Sequence, residues 1–165
     1  LEALKLISKW LKVAFDQPEN INARGGMLIG SCLAGVAFTK GLGLVHSISH
    51  MVGAEYNTQH GLTNAIILPT VMKFNLPHVG EKVKYISQAM DLKEASSSII
   101  LEDIGKILDY VQIPRSLSEI GVPLECKRRI AEKAMLDSAT GTNPRVANID
   151  DIEELTEISI LHARE

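Results

Sequence analysis

Cysteine is scarce in this chain. Cys32 and Cys126 are the only two among 165 residues, too few for a disulfide scaffold or a four-thiolate metal site, so a reducing cytoplasm is the expected compartment. Aromatic residues are scarce too, and the single tryptophan, Trp10, is expected at an edge of the core or at an interface. Neither sign of charge dominates: 17 Lys and Arg against 20 Asp and Glu leave a formal net charge of -3. That balance provides no basic footprint for nucleic acid or for an anionic membrane. No uninterrupted apolar run approaches the ~20 residues needed to cross a bilayer, so no membrane partner is expected. The first residues read as an amphipathic helix rather than a signal peptide. There is no G-x-G-x-x-G after a strand, and no other phosphate cradle.

What is present is globular and helical. Apolar residues make up 45% and charged residues 22%, which excludes a disordered chain. The mean hydropathy of +0.09 is high for a small helical protein. The chain also opens on Leu1, in helical pattern without a capping residue ahead of it. Both features suggest a piece of a longer chain with one face meant to dock elsewhere.

Leu4, Ile7, Leu11 and Ala14 place an apolar stripe at helical spacing along Leu1–Phe15. Residues 21–38 are small and apolar almost all round, the pattern of a buried central helix, and Cys32 is expected to be buried with them. Gly25-Gly26 predicts a late start or local irregularity there, since each glycine costs about 1 kcal/mol of helix propensity. Further helices are expected at 44–54, 61–76 with Pro69 inside, 81–90, 97–111, 124–138 and 149–163. Ser116 and Glu119 have capping-box spacing, and Asn148 stands where the last helix needs its N-cap. No period-two alternation supports a strand. The expectation is an all-α fold in one domain, 1–165.

Chemistry concentrates in one segment. Three of the five histidines, His46, His50 and His60, fall within fifteen residues. His46 and His50 are four apart on a predicted helix, so their rings emerge one turn apart on one side. Such a pair is a common way to offer two imidazoles to one metal. It is not the zinc-protease motif, because Ser47 stands where that motif needs a glutamate. Past a turn, His60 can fold back toward the first helix. Spacing leaves both His46/His50 and His46/His60 open as ligand pairs. A third ligand class is missing, since Glu102 and Asp103 read as solvated helix surface.

The segment GLGLVHSISHMVGAEYNTQHGLTNAIILPTVMKFN, residues 41–75, closely resembles the C-terminal helical domain of iron-containing alcohol dehydrogenases. The likeness rests on a histidine after Gly-Leu-Gly-Leu-Val, a second one turn later, and a third in a Tyr-Asn-x-x-His-Gly turn. An apolar helix with a central proline follows. The first helix, the small-residue helix ending Ala-Gly-Val-Ala-Phe, and the Asn143-Pro144-Arg145 turn with its capped helix also resemble that family. Residues 80–140 match it only in character.

The resemblance implies a multi-helix domain of dehydroquinate synthase-like architecture that lacks the α/β nucleotide-binding domain. In that family one Asp and three His hold a divalent metal, Fe2+ as a rule and Zn2+ in some members. The last two of those histidines correspond to His46 and His60. His50 corresponds to a histidine that faces the nicotinamide and substrate, which implies a cofactor-binding and proton-relaying role. The Asp and first His lie upstream of the point where this chain begins. The implied intact enzyme interconverts an alcohol and an aldehyde or ketone with NAD or NADP, while this chain alone is expected to be inactive. The expected partners are a small alcohol or aldehyde, the absent nucleotide-binding domain, and further copies in a homo-oligomer. Glycerol dehydrogenases, maleylacetate reductases and dehydroquinate synthases share the two-domain architecture and stand as alternatives. A non-catalytic helical interaction domain stands as the alternative from another class.

Overall fold

A computed structural model describes residues 1–164, and its described residues are helical with no strand. The all-α expectation holds. By internal contacts the chain divides into two compact units, one of Leu1–Lys40 with Val79–Val111 and one of Gly41–His78 with Gln112–Glu165.

The first unit contains α1 (Glu2–Asp16), α2 (Ile21–Ala37), α5 (Lys82–Ala89) and α6 (Ser97–Tyr110). α2 begins at Ile21 because the Asn20 side chain accepts from the Ala23 N–H, satisfying one of the donors a helix start leaves open. The helix then runs through Gly25-Gly26 without the expected break. Gly26 is where the indole of Trp10 lies: a Cβ built there would sit 2.1 Å from the ring. The glycine therefore allows close packing of α1 on α2, and its contact with Trp10 offsets its poor propensity.

Burial along α2 differs from the sequence expectation. Only Ala23, Gly26 and Gly30 are buried, and all three belong to the small-residue face. The large apolar side chains point outward, with Ile21 82%, Leu28 73% and Val36 65% exposed. Cys32 is exposed as well. Composition identifies a face that prefers to be covered, but it does not say which elements cover it. By length and composition alone, the stretch Ile21–Lys40 is long and apolar enough to cross a membrane.

The second unit contains α3 (Leu44–Tyr56), α4 (His60–Asn75), α7 (Lys127–Met135) and α8 (Ile149–Leu161). Its core draws Leu44, Ile48 and Val52 from α3, Ile66, Ile67 and Val71 from α4, Ile130 and Ala134 from α7, and Ile152 and Leu155 from α8. Each Leu, Ile or Val buried there stabilises by roughly 1.5–3 kcal/mol. α8 starts on a capping box between Asn148 and Asp151. The Ser116 spacing is used differently. Glu119 Oε1 accepts from the Arg115 N–H and from the Ser116 hydroxyl, and the helix that follows, Ser118–Ile120, is a single 3-10 turn.

Leu44, Ile48 and Val52 recur every four residues and tie α3 to the core. His46 and His50 lie about 200° further round the helix at 100° per residue, so anchoring the apolar row turns both imidazoles away from the core.

Candidate metal centre

The helix bearing His46 and His50 has no N-cap side chain of its own. Gly43 occupies the cap position with φ 75, in the left-handed region that favours glycine. The open N–H groups are taken by residues 99 and 100 positions downstream: Leu42 and Gly43 donate to Thr142 Oγ1 at 3.2 and 3.3 Å, and Leu44 donates to Asn143 Oδ1 at 3.2 Å. Asn143 also exchanges side-chain hydrogen bonds of 2.9 and 2.7 Å with Asn75, the last residue of α4. One turn thus fixes the start of the helix carrying two histidines and the end of the helix carrying the third.

α4 opens at His60, with Gln59 as its cap accepting from the Leu62 N–H. The turn before it is made by Asn57 in the left-handed region, which asparagine tolerates better than most residues. This reversal brings His60 back over α3. The three imidazoles form a triangle with centroids 5.3 Å apart for His46 and His60, 5.5 Å for His50 and His60, and 5.8 Å for His46 and His50. The structure therefore brings together all three histidines singled out in the sequence. His78 and His162 are exposed, away from this cluster in sequence, and Glu102 pairs with Lys106 on the exposed surface of α6.

The rings meet different partners. His46 Nε2 lies 3.3 Å and His60 Nε2 3.0 Å from the same atom, Asn64 Nδ2. Two imidazole nitrogens therefore converge on one point. His50 turns elsewhere, its Nδ1 lying 2.9 Å from Asp137 Oδ2. Burial holds the His46 pKa below its ordinary value, helped by the neighbouring His60 and His50, against a hydrogen bond to the Leu42 backbone and the charge of Asp137. Burial alone would raise the carboxyl of Asp137. The hydrogen bond to His50, the Ala139 N–H and the nearby His46 outweigh it and hold the group below the usual carboxylate range.

The donor chemistry fits a divalent metal in part. Two imidazole Nε2 atoms directed at one point are the donor type and arrangement that two metal ligands share. They are two ligands, whereas a catalytic site takes at least three protein groups. Among the described residues no group of three or more His, Cys, Asp or Glu side chains is arranged to hold a metal ion.

Residues 1–160 match the C-terminal region of the Fe-containing alcohol dehydrogenase family. The chain belongs to that family. It is 38% identical over 164 residues to lactaldehyde reductase of Escherichia coli (strain K12), the match covering 94% of this chain and 42% of the relative. It is 39% identical over 167 residues to the NAD-dependent methanol dehydrogenase of Bacillus methanolicus, with the same two coverages. The solved structure of a 1,3-propanediol oxidoreductase superposes with a TM-score of 0.89 at 31% identity, covering 96% of this chain and 44% of that one. The chain spans about two fifths of the length of these relatives.

Asp137, Asn64, Ser49 and Asn143 were not picked out as site residues from the sequence. Asn64 lies four residues after His60, within reach on one helix face, so its spacing could have signalled it. Asp137 lies 87 residues from His50, and no local pattern connects the two.

Proposed function

We propose that this chain supplies the metal-holding half of an NAD(P)-dependent alcohol dehydrogenase that interconverts a small alcohol with its aldehyde or ketone. The observation that carries it is the convergence of His46 Nε2 and His60 Nε2 on one point, with His50 adjacent and backed by Asp137. His46 and His60 would hold a divalent cation, Fe2+ in the first place and Zn2+ as the alternative. When bound, the metal supplies Lewis-acid polarisation of the substrate oxygen, and the nicotinamide, held mainly by the rest of the enzyme, supplies hydride exchange.

The chain's own residues supply orientation and a proton path. Asp137 engages His50 at Nδ1 and leaves Nε2 as the edge that exchanges a proton with substrate or water. A carboxylate behind an imidazole fixes the orientation of the ring. His50 would be the catalytic residue in this assignment and would help to bind the nicotinamide. The outward apolar row of α2, Leu28, Ile29 and Val36, is proposed to meet the remainder of the enzyme. Without that cover, self-association of the chain through the same row is expected.

The test is metal binding by the chain as it stands. Zn2+ or Co2+ should bind weakly, and His46→Ala and His60→Ala should each abolish binding, while His50→Ala should leave it in place. Equal binding by all three variants would refute the ligand assignment. Incubation with NAD or NADP and simple primary alcohols should give no turnover by this chain alone.

A further inference from the structure

The hydroxyl of Thr142 meets the start of α3 on one side and the residue that fixes Asp137 on the other. It accepts from the Leu42 and Gly43 N–H groups at 3.2 and 3.3 Å and donates its one proton to the Ala139 carbonyl at 2.8 Å. Ala139 gives its own N–H to Asp137 Oδ1 at 2.7 Å, and the other oxygen of that carboxylate lies 2.9 Å from His50 Nδ1. Contacts therefore run from the start of α3, through Thr142, Ala139 and Asp137, to an imidazole on the same helix.

The helix closes this route into a ring. His50 follows Gly43 by seven residues, about 10 Å along the axis at 1.5 Å per residue. The segment on the other side is locked from within, because the Asp137, Thr140 and Thr142 N–H groups donate to the Ala134, Asp137 and Ala139 carbonyls at 3.1, 3.1 and 3.2 Å. With both sides stiff, the place where Thr142 meets α3 also sets the carboxylate against His50. Glycine opens that place: a Cβ at Gly41, whose φ is +116, would lie 2.4 Å from Thr142 Cβ. A cap for α3 does not require Thr142, since Asn143 Oδ1 already accepts from the Leu44 N–H at 3.2 Å.

We infer that Thr142 is a positioning residue for His50, its hydroxyl setting the Asp137 carboxylate in register with α3 so that the ring keeps one orientation. This inference rests on the assignment of His50 as the residue that meets substrate, and it deepens that assignment by naming what aims the ring. Thr142 acts through Ala139 and Asp137. Proton exchange at an imidazole demands a ring held in one geometry, and a carboxylate free to swing could not supply that.

The experiment is nuclear magnetic resonance on the labelled chain at one fixed pH, following hydrogen exchange at the Ala139 N–H and the carbon-bound ring signals of His50. Thr142→Val keeps the shape and removes the hydroxyl. Protection of the Ala139 N–H should fall about tenfold, the scale of one hydrogen bond, and the His50 ring signals should shift or broaden as the ring samples a second orientation. Thr142→Ser, which keeps the hydroxyl, should restore both. Asn148→Ala removes the capping box of α8 and serves as the control for general destabilisation, so it should leave both signals in place. A Thr142→Val chain with unaltered Ala139 and His50 signals overturns the inference, as does an equal change in Asn148→Ala. Zn2+ titration of the same chain separates the two readings. Binding that ignores His46→Ala and His60→Ala would sink the metal-centre reading and, with it, the catalytic purpose of the link, even where the spectra behave as stated.

Discussion

His50 Nδ1 and Asp137 Oδ2 stand 2.9 Å apart, joining α3 to the turn that follows α7 across 87 residues of sequence. Asp137 is itself fixed, because its other oxygen accepts from the Ala139 N–H at 2.7 Å. Asp137→Asn keeps the shape and removes the charge. The expected cost is about 1 kcal/mol, below the usual range for a charge-assisted bond because His50 is a third exposed. In the intact enzyme kcat should fall about tenfold or more while metal content is unchanged, since the residue acts on His50 rather than on the proposed ligands. Urea denaturation and metal analysis on the same preparation check both halves. Loss of metal would show that Asp137 supports the ligands instead.

Asn143 is the side chain on which both histidine-bearing helices depend. It accepts from the Leu44 N–H at the start of α3 and exchanges two hydrogen bonds with Asn75 at the end of α4. Asn143→Ala leaves a helix start uncapped and a buried Asn75 amide without its partner. Each loss costs about 1–2 kcal/mol, so a total destabilisation of about 2–4 kcal/mol is expected. Hydrogen exchange should localise the effect, with the Leu44 N–H losing protection before the middle of α8. Uniform loss across the second unit would contradict the capping role.

The histidine cluster was largely legible in sequence and its supports were not. The four-residue interval between His46 and His50 encodes a shared helix side, and the apolar row of Leu44, Ile48 and Val52 encodes which way that side faces. Asn57 and Gln59 mark the turn that returns His60. Asp137, Thr142 and Asn143 lie in turns, where no periodicity relates a residue to a helix some hundred positions earlier. The misjudged burial of α2 has a related cause. Small residues at 23, 26 and 30 do form a packed face, but the larger ones beside them only state a preference for cover.

Glu55 carries the pH dependence of the α3–α7 contact. It accepts from Arg129 Nε at 2.9 Å and from Lys133 Nζ at 2.6 Å, and these bonds hold its carboxyl below the ordinary 4.5. A carboxylate with a depressed folded value binds fewer protons in the fold than when unfolded. Its contribution is therefore complete above pH 4.5 and is lost as pH falls through the folded value. Both cations are half exposed, which limits the contribution to about 1 kcal/mol. Glu55→Gln should destabilise the chain by that amount at pH 7 and flatten the fall in stability below pH 4.5. Denaturant midpoints measured from pH 7 to pH 3 decide it, and an unchanged slope would assign the acid sensitivity elsewhere.

The tightest approach of α1 to α2 is the Trp10 indole against Gly26. A Cβ at Gly26 would lie 2.1 Å from the ring Cδ1 and 2.5 Å from Nε1, and an indole has no flexible end that could yield. Alanine improves helix propensity by about 1 kcal/mol, so propensity alone predicts that Gly26→Ala stabilises. Overpacking against a rigid ring costs about 1–3 kcal/mol and should reverse the sign. Gly25 provides the internal control, because nothing lies within 4 Å of a Cβ added there and only the propensity gain remains. Thermal unfolding followed by Trp10 fluorescence should therefore show Gly26→Ala below the unaltered chain and Gly25→Ala above it. Two stabilised variants would mean that the indole can leave α2 at little cost, and that α1 is held to α2 by its aliphatic contacts, such as those of Leu6 and Ile7 at Gly30.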